Sequence, residues 1–237
     1  MTEPSKLAAD GVSWWRRPWV APLALGALIF LAFSLPPYLT LDPERTRVPA
    51  PDGFSAHYGL LVVHIMFGTV ALVTTCLQVW PWLRRHKPAA HRMSGRIYVF
   101  GGVLPAAVLS LPIGALSLAG PITRVSSVLL AVLWLGTTIA GYRMARQRRF
   151  REHRRWMIRS FALTTSIVMN RVWQWAVDSA MSPFLETTFA GNEAWMAESV
   201  NGTAAWLSWT VNLMIAEWWL DRQKRPQRQA RKVAVRV

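Results

Sequence analysis

The sequence is poor in cysteine, in charged residues and above all in acidic residues. Cys76 is its single cysteine, which excludes an internal disulfide framework and a CxxC metal site. Charged residues make up only 16% of the 237 positions, whereas soluble domains carry roughly 25%. Hydrophobic residues make up 52%, which is too many for a disordered chain. The composition therefore predicts an integral membrane protein.

Six apolar runs are long enough to cross a bilayer as helices. A hydrocarbon core of roughly 30 Å takes about 20 apolar residues in a helix. Runs of this length with few charges cover residues 19–39, 58–83, 97–118, 125–144, 157–177 and 204–220. The sequence therefore predicts an all-α, polytopic transmembrane bundle of six spans within residues 18–221. Residues 1–17 are expected to form an N-terminal segment, and residues 222–237 a basic tail.

The basic residues are placed asymmetrically around these runs. Residues 1–17, 84–96, 143–159 and 222–237 hold 23 of the 27 Lys and Arg, and the predicted topology puts all four segments on one side. Because cytoplasmic flanks carry the excess of Lys and Arg, both termini are expected in the cytoplasm. This asymmetry accounts for the net charge of +15 without nucleic acid, and it predicts contacts with anionic lipids at the cytoplasmic face.

One layer of polar residues is expected in the outer third of the bundle. Counting 1.5 Å per residue, His64 of the second span, Arg171 and Gln174 of the fifth and Asn212 of the sixth reach similar depths, with Asn170 beside Arg171. Because polar groups inside a span are costly, these residues either form one functional cluster or satisfy one another as packing contacts. His64 is a cofactor-binding candidate that lacks a second histidine at its depth.

A second, richer layer is expected at the cytoplasmic ends of the central spans. His91 and His153 lie on different hairpins at one depth, and they are the one histidine pair that can ligate a metal or haem from two sides. Nearby arginines offer bidentate donor forks to haem propionates, a quinone head or phosphate. The candidates are His91, His153, Arg92, Arg96, Arg154 and Arg159, with Gln78 and Glu217 at the same level. The alternatives are that the arginines only set topology and that Glu217 pairs with Arg159 or Arg154.

The order of these residues is similar to that of a known family. His64 with Gly68, then Gln78, then His91-Arg92-x-x-Gly95-Arg96-x-Tyr98 and His153-Arg154-x-Trp156-Met157-x-Arg159-Ser160 together resemble the bacterial multi-pass membrane proteins of domain of unknown function 2306. The resemblance covers residues 58–175 and implies a membrane architecture, but no reaction. A weaker likeness to cytochrome b561-type electron carriers implies histidine ligands on neighbouring helices.

Two classes of function are compatible with the sequence. The first is a membrane redox component that binds b-type haem or a quinone near the cytoplasmic face, with His91 and His153 as ligands. The second is a non-enzymatic transporter, sensor or assembly partner in which the same groups bind an anion or a lipid headgroup. A transporter is expected to have a discontinuous helix at mid-membrane, and the third span, with Gly101, Gly102 and Pro105, is the candidate.

The sequence contains no motif that indicates hydrolysis: it has no HExxH, no nucleophile elbow and no paired carboxylates within a span. Whether the chain is an enzyme stays open.

Overall fold

The computed structural model describes the backbone of residues 20–234 and the side chains of residues 20–223, a region that is helical and contains no β-strand. Its helices are α1 (Val20–Ser34), α2 (Pro36–Leu39), α3 (His57–Val79), α4 (Pro81–His86), α5 (Pro88–Tyr98), α6 (Leu104–Ala115), α7 (Pro121–Arg146), α8 (Phe150–Thr164), α9 (Ser166–Met181) and α10 (Glu193–Ala234). The predicted N-terminal segment 1–17 lies outside the described residues. The predicted tail continues α10 as far as Ala234.

Within residues 20–234, three stretches of helix are long and apolar enough to cross a membrane: α3, the continuous helix Pro88–Ala115 and α7. They correspond to the predicted second, third and fourth spans. Between 28% and 39% of their apolar windows is buried in the bundle, so most of the apolar surface faces outward, as contact with lipid requires. Among the other predicted spans, α1 is described as an apolar helix of 15 residues. The total of six spans and the side of each terminus stay predictions.

The third span is longer and less interrupted than its glycines and prolines predict. A π-helical turn, Val99–Val103, joins α5 to α6, which gives one continuous helix over Pro88–Ala115. Pro105 lacks the N–H that would bond the Gly101 carbonyl, and a wider turn accommodates this loss. The expectation of a discontinuous third span was therefore wrong, and His91 lies on a helix rather than in a loop.

The predicted fifth span is the one that is divided, because α8 and α9 meet at Thr165. Side chains bond the carbonyl groups at this break. The Leu163 carbonyl accepts from Ser166 Oγ at 2.6 Å, and the Ala162 carbonyl accepts from Asn212 Nδ2 of α10 at 3.0 Å. An unsatisfied backbone group in lipid costs several kcal/mol, so these hydrogen bonds stabilise the interruption.

Helix α7 lies in the middle of the bundle and packs against α6, α8 and α10, while α3 packs against α5 and α6, and α9 against α10. The backbones approach most closely where side chains are small. A Cβ atom added to Gly102 would lie 2.9 Å from Ala71 Cα of α3. Such close approach is a main source of helix association in lipid. The buried core beside this crossing consists of Ala71, Tyr98, Val99, Val103 and Ala107.

Candidate functional site

The candidate site lies between α5 and α8, two helices that run in the same direction. The chain passes from α5 and α6 into α7, which returns beside α6, and then into α8, which returns beside α7. The Tyr98 hydroxyl of α5 lies 2.5 Å from Ser160 Oγ of α8, so these residues face each other at one level. His91 and His153 each precede this pair by seven residues, which is about two helical turns. The two histidines therefore lie on the same facing sides, about 10 Å nearer the helix starts.

A hydrogen-bonded network of hydroxyl groups fixes this level. Thr164 Oγ1 donates to the Ser160 carbonyl at 2.8 Å and accepts from Trp134 Nε1 at 2.8 Å and from the Tyr98 hydroxyl at 2.7 Å. The Tyr98 oxygen accepts from Ser160 Oγ, which in turn accepts from Thr138 Oγ1 at 2.7 Å. Each hydroxyl has one hydrogen to donate. Because Thr164 donates its hydrogen to the Ser160 carbonyl, Tyr98 must donate to Thr164, Ser160 to Tyr98 and Thr138 to Ser160. The network therefore ties α5, α7 and α8 together with every hydroxyl hydrogen used.

His153 is held in one orientation by α7. Its Nδ1 lies 2.8 Å from the Gly141 carbonyl oxygen. Since a carbonyl only accepts, Nδ1 carries the hydrogen, and the neutral ring keeps its lone pair on Nε2. Gly141 also lets α7 and α8 approach closely, because a Cβ atom there would lie 2.6 Å from Met157 Sδ and 3.4 Å from Trp156 Cβ. Metal-ligating histidines are commonly positioned by a hydrogen bond of this kind.

His91 is attached to α3 through its backbone. Gln78 Nε2 of α3 donates to the His91 carbonyl at 2.9 Å and to Ser94 Oγ at 2.6 Å. The His91 ring interacts electrostatically with Arg84, His153 and Arg92. Its Nδ1 is buried and has no hydrogen-bond partner among residues 20–223. A buried ring nitrogen without a partner calls for an explanation, and a bound ligand is one that fits this position.

The predicted arginines of this end differ in what they contact. Arg159 forms a bidentate pair with Glu217 of α10, with Nε 2.5 Å from Oε1 and Nη2 2.9 Å from Oε2. Its guanidinium also lies 4.8 Å from the centroid of the Trp156 ring. Arg154 lies 5.3 Å from the centroid of the Trp219 ring. The Arg159 guanidinium is therefore paired with a carboxylate within the bundle, whereas the Arg154 guanidinium lies over an aromatic ring of α10.

Three further arginines lie on the two helices that carry the histidines. Arg92 and Arg96 are exposed on α5. Arg155 lies two residues after His153, and its Nε is buried without a hydrogen-bond partner in the region whose side chains are described. A guanidinium only donates, so this nitrogen requires an acceptor. The two helices that carry the histidine pair thus each contain one unpartnered nitrogen.

The second predicted cluster contains one connected chain of hydrogen bonds. Arg171 Nη1 donates to Gln174 Oε1 at 2.8 Å, and Gln174 Nε2 donates to Asn201 Oδ1 of α10 at 3.0 Å. Asn170 is half-buried beside Arg171. A groove of about 380 Å³ between α9 and α10 is lined in part by Gln174, Asp178 and Asn201.

The remaining members of that cluster bond to other helices. His64 Nδ1 lies 2.8 Å from the Ala106 carbonyl of α6. Asn212 Nδ2 bonds the carbonyl group of Ala162 at the α8–α9 break. The hydrogen bonds therefore join Arg171 to Gln174 but connect neither to His64 or Asn212. A single site that contains all four residues stays a prediction.

Residues 61–220, about two thirds of the chain, match the family described as predicted membrane protein (DUF2306). The chain belongs to this family. The matched segment contains the α5–α8 histidine pair and the whole hydroxyl network. No curated protein and no solved structure matches significantly, so the likeness to cytochrome b561-type carriers receives no support.

Among the described residues of this DUF2306 protein, no group of three or more His, Cys, Asp or Glu side chains is arranged to hold a metal ion. A haem iron takes at most two axial side chains, so this finding leaves the histidine pair untested.

The family motif includes Tyr98 and Ser160 of this network, but it includes none of Thr138, Gly141 and Thr164. Thr138, Ser160 and Thr164 resemble the small polar residues found in many transmembrane helices, and Gly141 resembles an ordinary packing glycine. A further signal in the sequence is the four-residue spacing of Ser160 and Thr164, which places both hydroxyls on one helix face. Their partners on α5 and α7 follow only from the fold.

Proposed function

We propose that this membrane protein is a redox component that binds b-type haem between His91 of α5 and His153 of α8. The observation that carries the proposal is that both histidines stand two turns before the Tyr98–Ser160 hydrogen bond. Two supports add to it. The bond from His153 Nδ1 to the Gly141 carbonyl leaves the Nε2 lone pair for a ligand, and His91 Nδ1 is buried without a partner.

We assign the arginines at this end of the bundle different roles in haem binding. Arg92 and Arg96 are exposed at the level of the histidines or one turn away, and their donor forks suit haem propionates. Arg159 is given no cofactor role, because its Nε and Nη2 already bind Glu217 in a bidentate pair. Haem bound here would supply one-electron transfer.

The proposal includes the predicted orientation, with six spans in residues 18–221 of a bacterial inner-membrane protein and both termini in the cytoplasm. The basic end that carries His91 is then cytoplasmic. The divided fifth span has the length of one crossing, since Trp156 and Trp175 are 19 residues apart, about 28 Å of helix. Tryptophan prefers the two interfaces of a bilayer, and the hydrocarbon between them is roughly 30 Å thick.

A second candidate is a non-enzymatic membrane protein that binds an anion or a lipid headgroup at the same end. The buried Nε of Arg155, which lacks an acceptor in the described region, favours this candidate. The divided fifth span gives it little support, because the carbonyls of the break are bonded by side chains and are not left for a transported ion.

An absorption spectrum tests the haem proposal. Protein purified after haem-replete expression is expected to show a Soret band and sharp reduced bands, which disappear in His91→Ala and in His153→Ala. His86→Ala is the matched control, because His86 lies at the same end but is exposed and contacts the Trp82 carbonyl of its own helix. Folded wild-type protein without a Soret band would overturn the proposal. Phosphate binding compared between wild type and Arg155→Gln then tests the second candidate.

A further inference from the structure

Six buried side-chain polar atoms lack a hydrogen-bond partner in the described region, and half of them lie at one end of three neighbouring helices. They are Ser34 Oγ at the end of α1, the Tyr58 hydroxyl at the start of α3 and Trp173 Nε1 in α9. α1 packs against both α3 and α9. This end is opposite to the one that carries His91. Unpartnered buried polar atoms are rare in folded proteins, so these three atoms call for hydrogen-bond partners, which a bound ligand would supply.

Two arginines lie at the same end without a carboxylate partner. Arg171 of α9 interacts electrostatically with Arg47, which follows α2, and with Tyr38. The Arg47 guanidinium lies 4.1 Å from the centroid of the Phe33 ring, and its Nη1 donates to the Phe33 carbonyl at 3.1 Å. Neither arginine belongs to an ion pair among the residues whose side chains are described. Because two positive groups repel each other, binding of an anion near them would be favourable.

The chemistry of these groups specifies the ligand. Guanidinium groups and the tryptophan N–H only donate hydrogen bonds, and the two hydroxyls each have a hydrogen to donate. A phosphate group combines negative charge with several acceptor oxygens, and it matches the donor fork of arginine. We propose that Arg47 and Arg171, together with Tyr58, Trp173 and Ser34, form a binding site for a phosphate group. This site is independent of the proposed haem site, which lies at the other end of the bundle.

The position of the site relates it to the lipid. Phe33 is 55% exposed, and Trp175, one turn beyond Arg171, is 74% exposed. Tryptophan prefers the headgroup zone, and Arg171 lies about 6 Å along the helix from Trp175. A long arginine side chain extends over that distance toward the headgroups. The phosphate is therefore supplied either by a phospholipid headgroup or by free phosphate from the aqueous phase.

Binding to delipidated, full-length protein in detergent distinguishes these sources. One arm measures retention of added phosphatidylglycerol by native mass spectrometry, and the other measures the thermal shift with inorganic phosphate. Arg47→Gln and Arg171→Gln are each expected to weaken binding about tenfold in whichever arm responds. Arg45→Gln is the matched control, because it removes the same charge two residues away, from an exposed side chain already paired with Asp42 at 3.3 Å.

Two conservative variants separate a binding role from simple packing. Tyr58→Phe and Trp173→Phe each remove one donor and keep an aromatic ring, so both are expected to weaken phosphate or headgroup binding while the ligand-free protein melts at or above the wild-type temperature. The proposal is overturned if neither arm detects binding by the wild type. It is also overturned if the arginine variants and these two variants all bind like the wild type.

Discussion

The hydroxyl oxygen of Tyr98 lies 2.5 Å from Ser160 Oγ, and this contact joins two helices whose residues are 62 positions apart in the chain. Tyr98 is 1% exposed and its ring reaches from α5 to α8. Its hydroxyl also donates to Thr164 at 2.7 Å, so both of its bonds end on the same helix. The network thereby sets the height of α5 against α8, and with it the height of His91 against His153.

Loss of the Tyr98 hydroxyl is expected to destabilise the bundle. Tyr98→Phe leaves Ser160 and Thr164 with incomplete hydrogen bonding in the core, which should lower the free energy of unfolding by about 1–3 kcal/mol. Denaturant titration in detergent measures this change. Tyr142→Phe serves as control, because the half-buried Tyr142 ring packs edge-on against Phe100 and a loss of about 0.5 kcal/mol or less is expected. Equal losses in the two variants would contradict the structural role of the network.

A methyl group at Gly102 is expected to separate α3 from the third span. The new Cβ atom would lie 2.9 Å from Ala71 Cα, which is backbone and cannot turn aside. Gly102→Ala should therefore lower the free energy of unfolding by about 1–3 kcal/mol. Gly101→Ala is the neighbouring control, since its nearest contact is Ile97 Cγ2 at an ordinary 3.7 Å. The prediction fails if both substitutions have the same effect on the denaturation midpoint.

The ion pair of Arg159 and Glu217 is expected to make a small contribution. Its bidentate geometry is favourable, but the Glu217 side chain is 45% exposed, so solvent weakens the attraction. A double-mutant cycle with Arg159→Gln and Glu217→Gln should give a coupling of about 0.5–1 kcal/mol in the free energy of unfolding. The same cycle on Arg149 and Glu152, a longer pair at 3.7 Å, should give a coupling near zero. A larger coupling in that second pair would refute the argument from geometry.

Asn212 is expected to stabilise the break between α8 and α9. Asn212→Leu removes the donor to the Ala162 carbonyl, and the loss should be about 1–2 kcal/mol in the free energy of unfolding. Thr210→Val is the control on the same helix, because that hydroxyl bonds only the Trp206 carbonyl of α10 itself. Denaturant unfolding in detergent measures the free energy of unfolding of both variants. If Asn212→Leu is as stable as Thr210→Val, the hydrogen bond from Asn212 does not stabilise the α8–α9 break.

The depth of a residue along its helix could be predicted from the sequence, but its hydrogen-bond partners on other helices could not. Counting residues placed Glu217 level with Arg159 and Arg154, and the structure has Arg159 as its partner. The same counting placed His64 level with Arg171, yet His64 bonds Ala106 of α6. Equal depth does not say which helices are adjacent or how each is rotated, so it predicts a layer and leaves the contacts within it open.

The sequence by itself determined that this is a helical membrane protein with its bases concentrated in four segments. Those properties depend on the length of apolar runs and on the position of charges along the chain, both of which are one-dimensional. Only the tertiary structure decided that the fifth span is divided at Thr165 and that Tyr98 bonds Ser160. It also decided that the Gly141 carbonyl accepts a hydrogen bond from His153. In lipid the hydrophobic effect does not distinguish one apolar helix face from another. Packing shape and a few interhelical hydrogen bonds therefore select the neighbours, and these contacts form only when the helices are assembled.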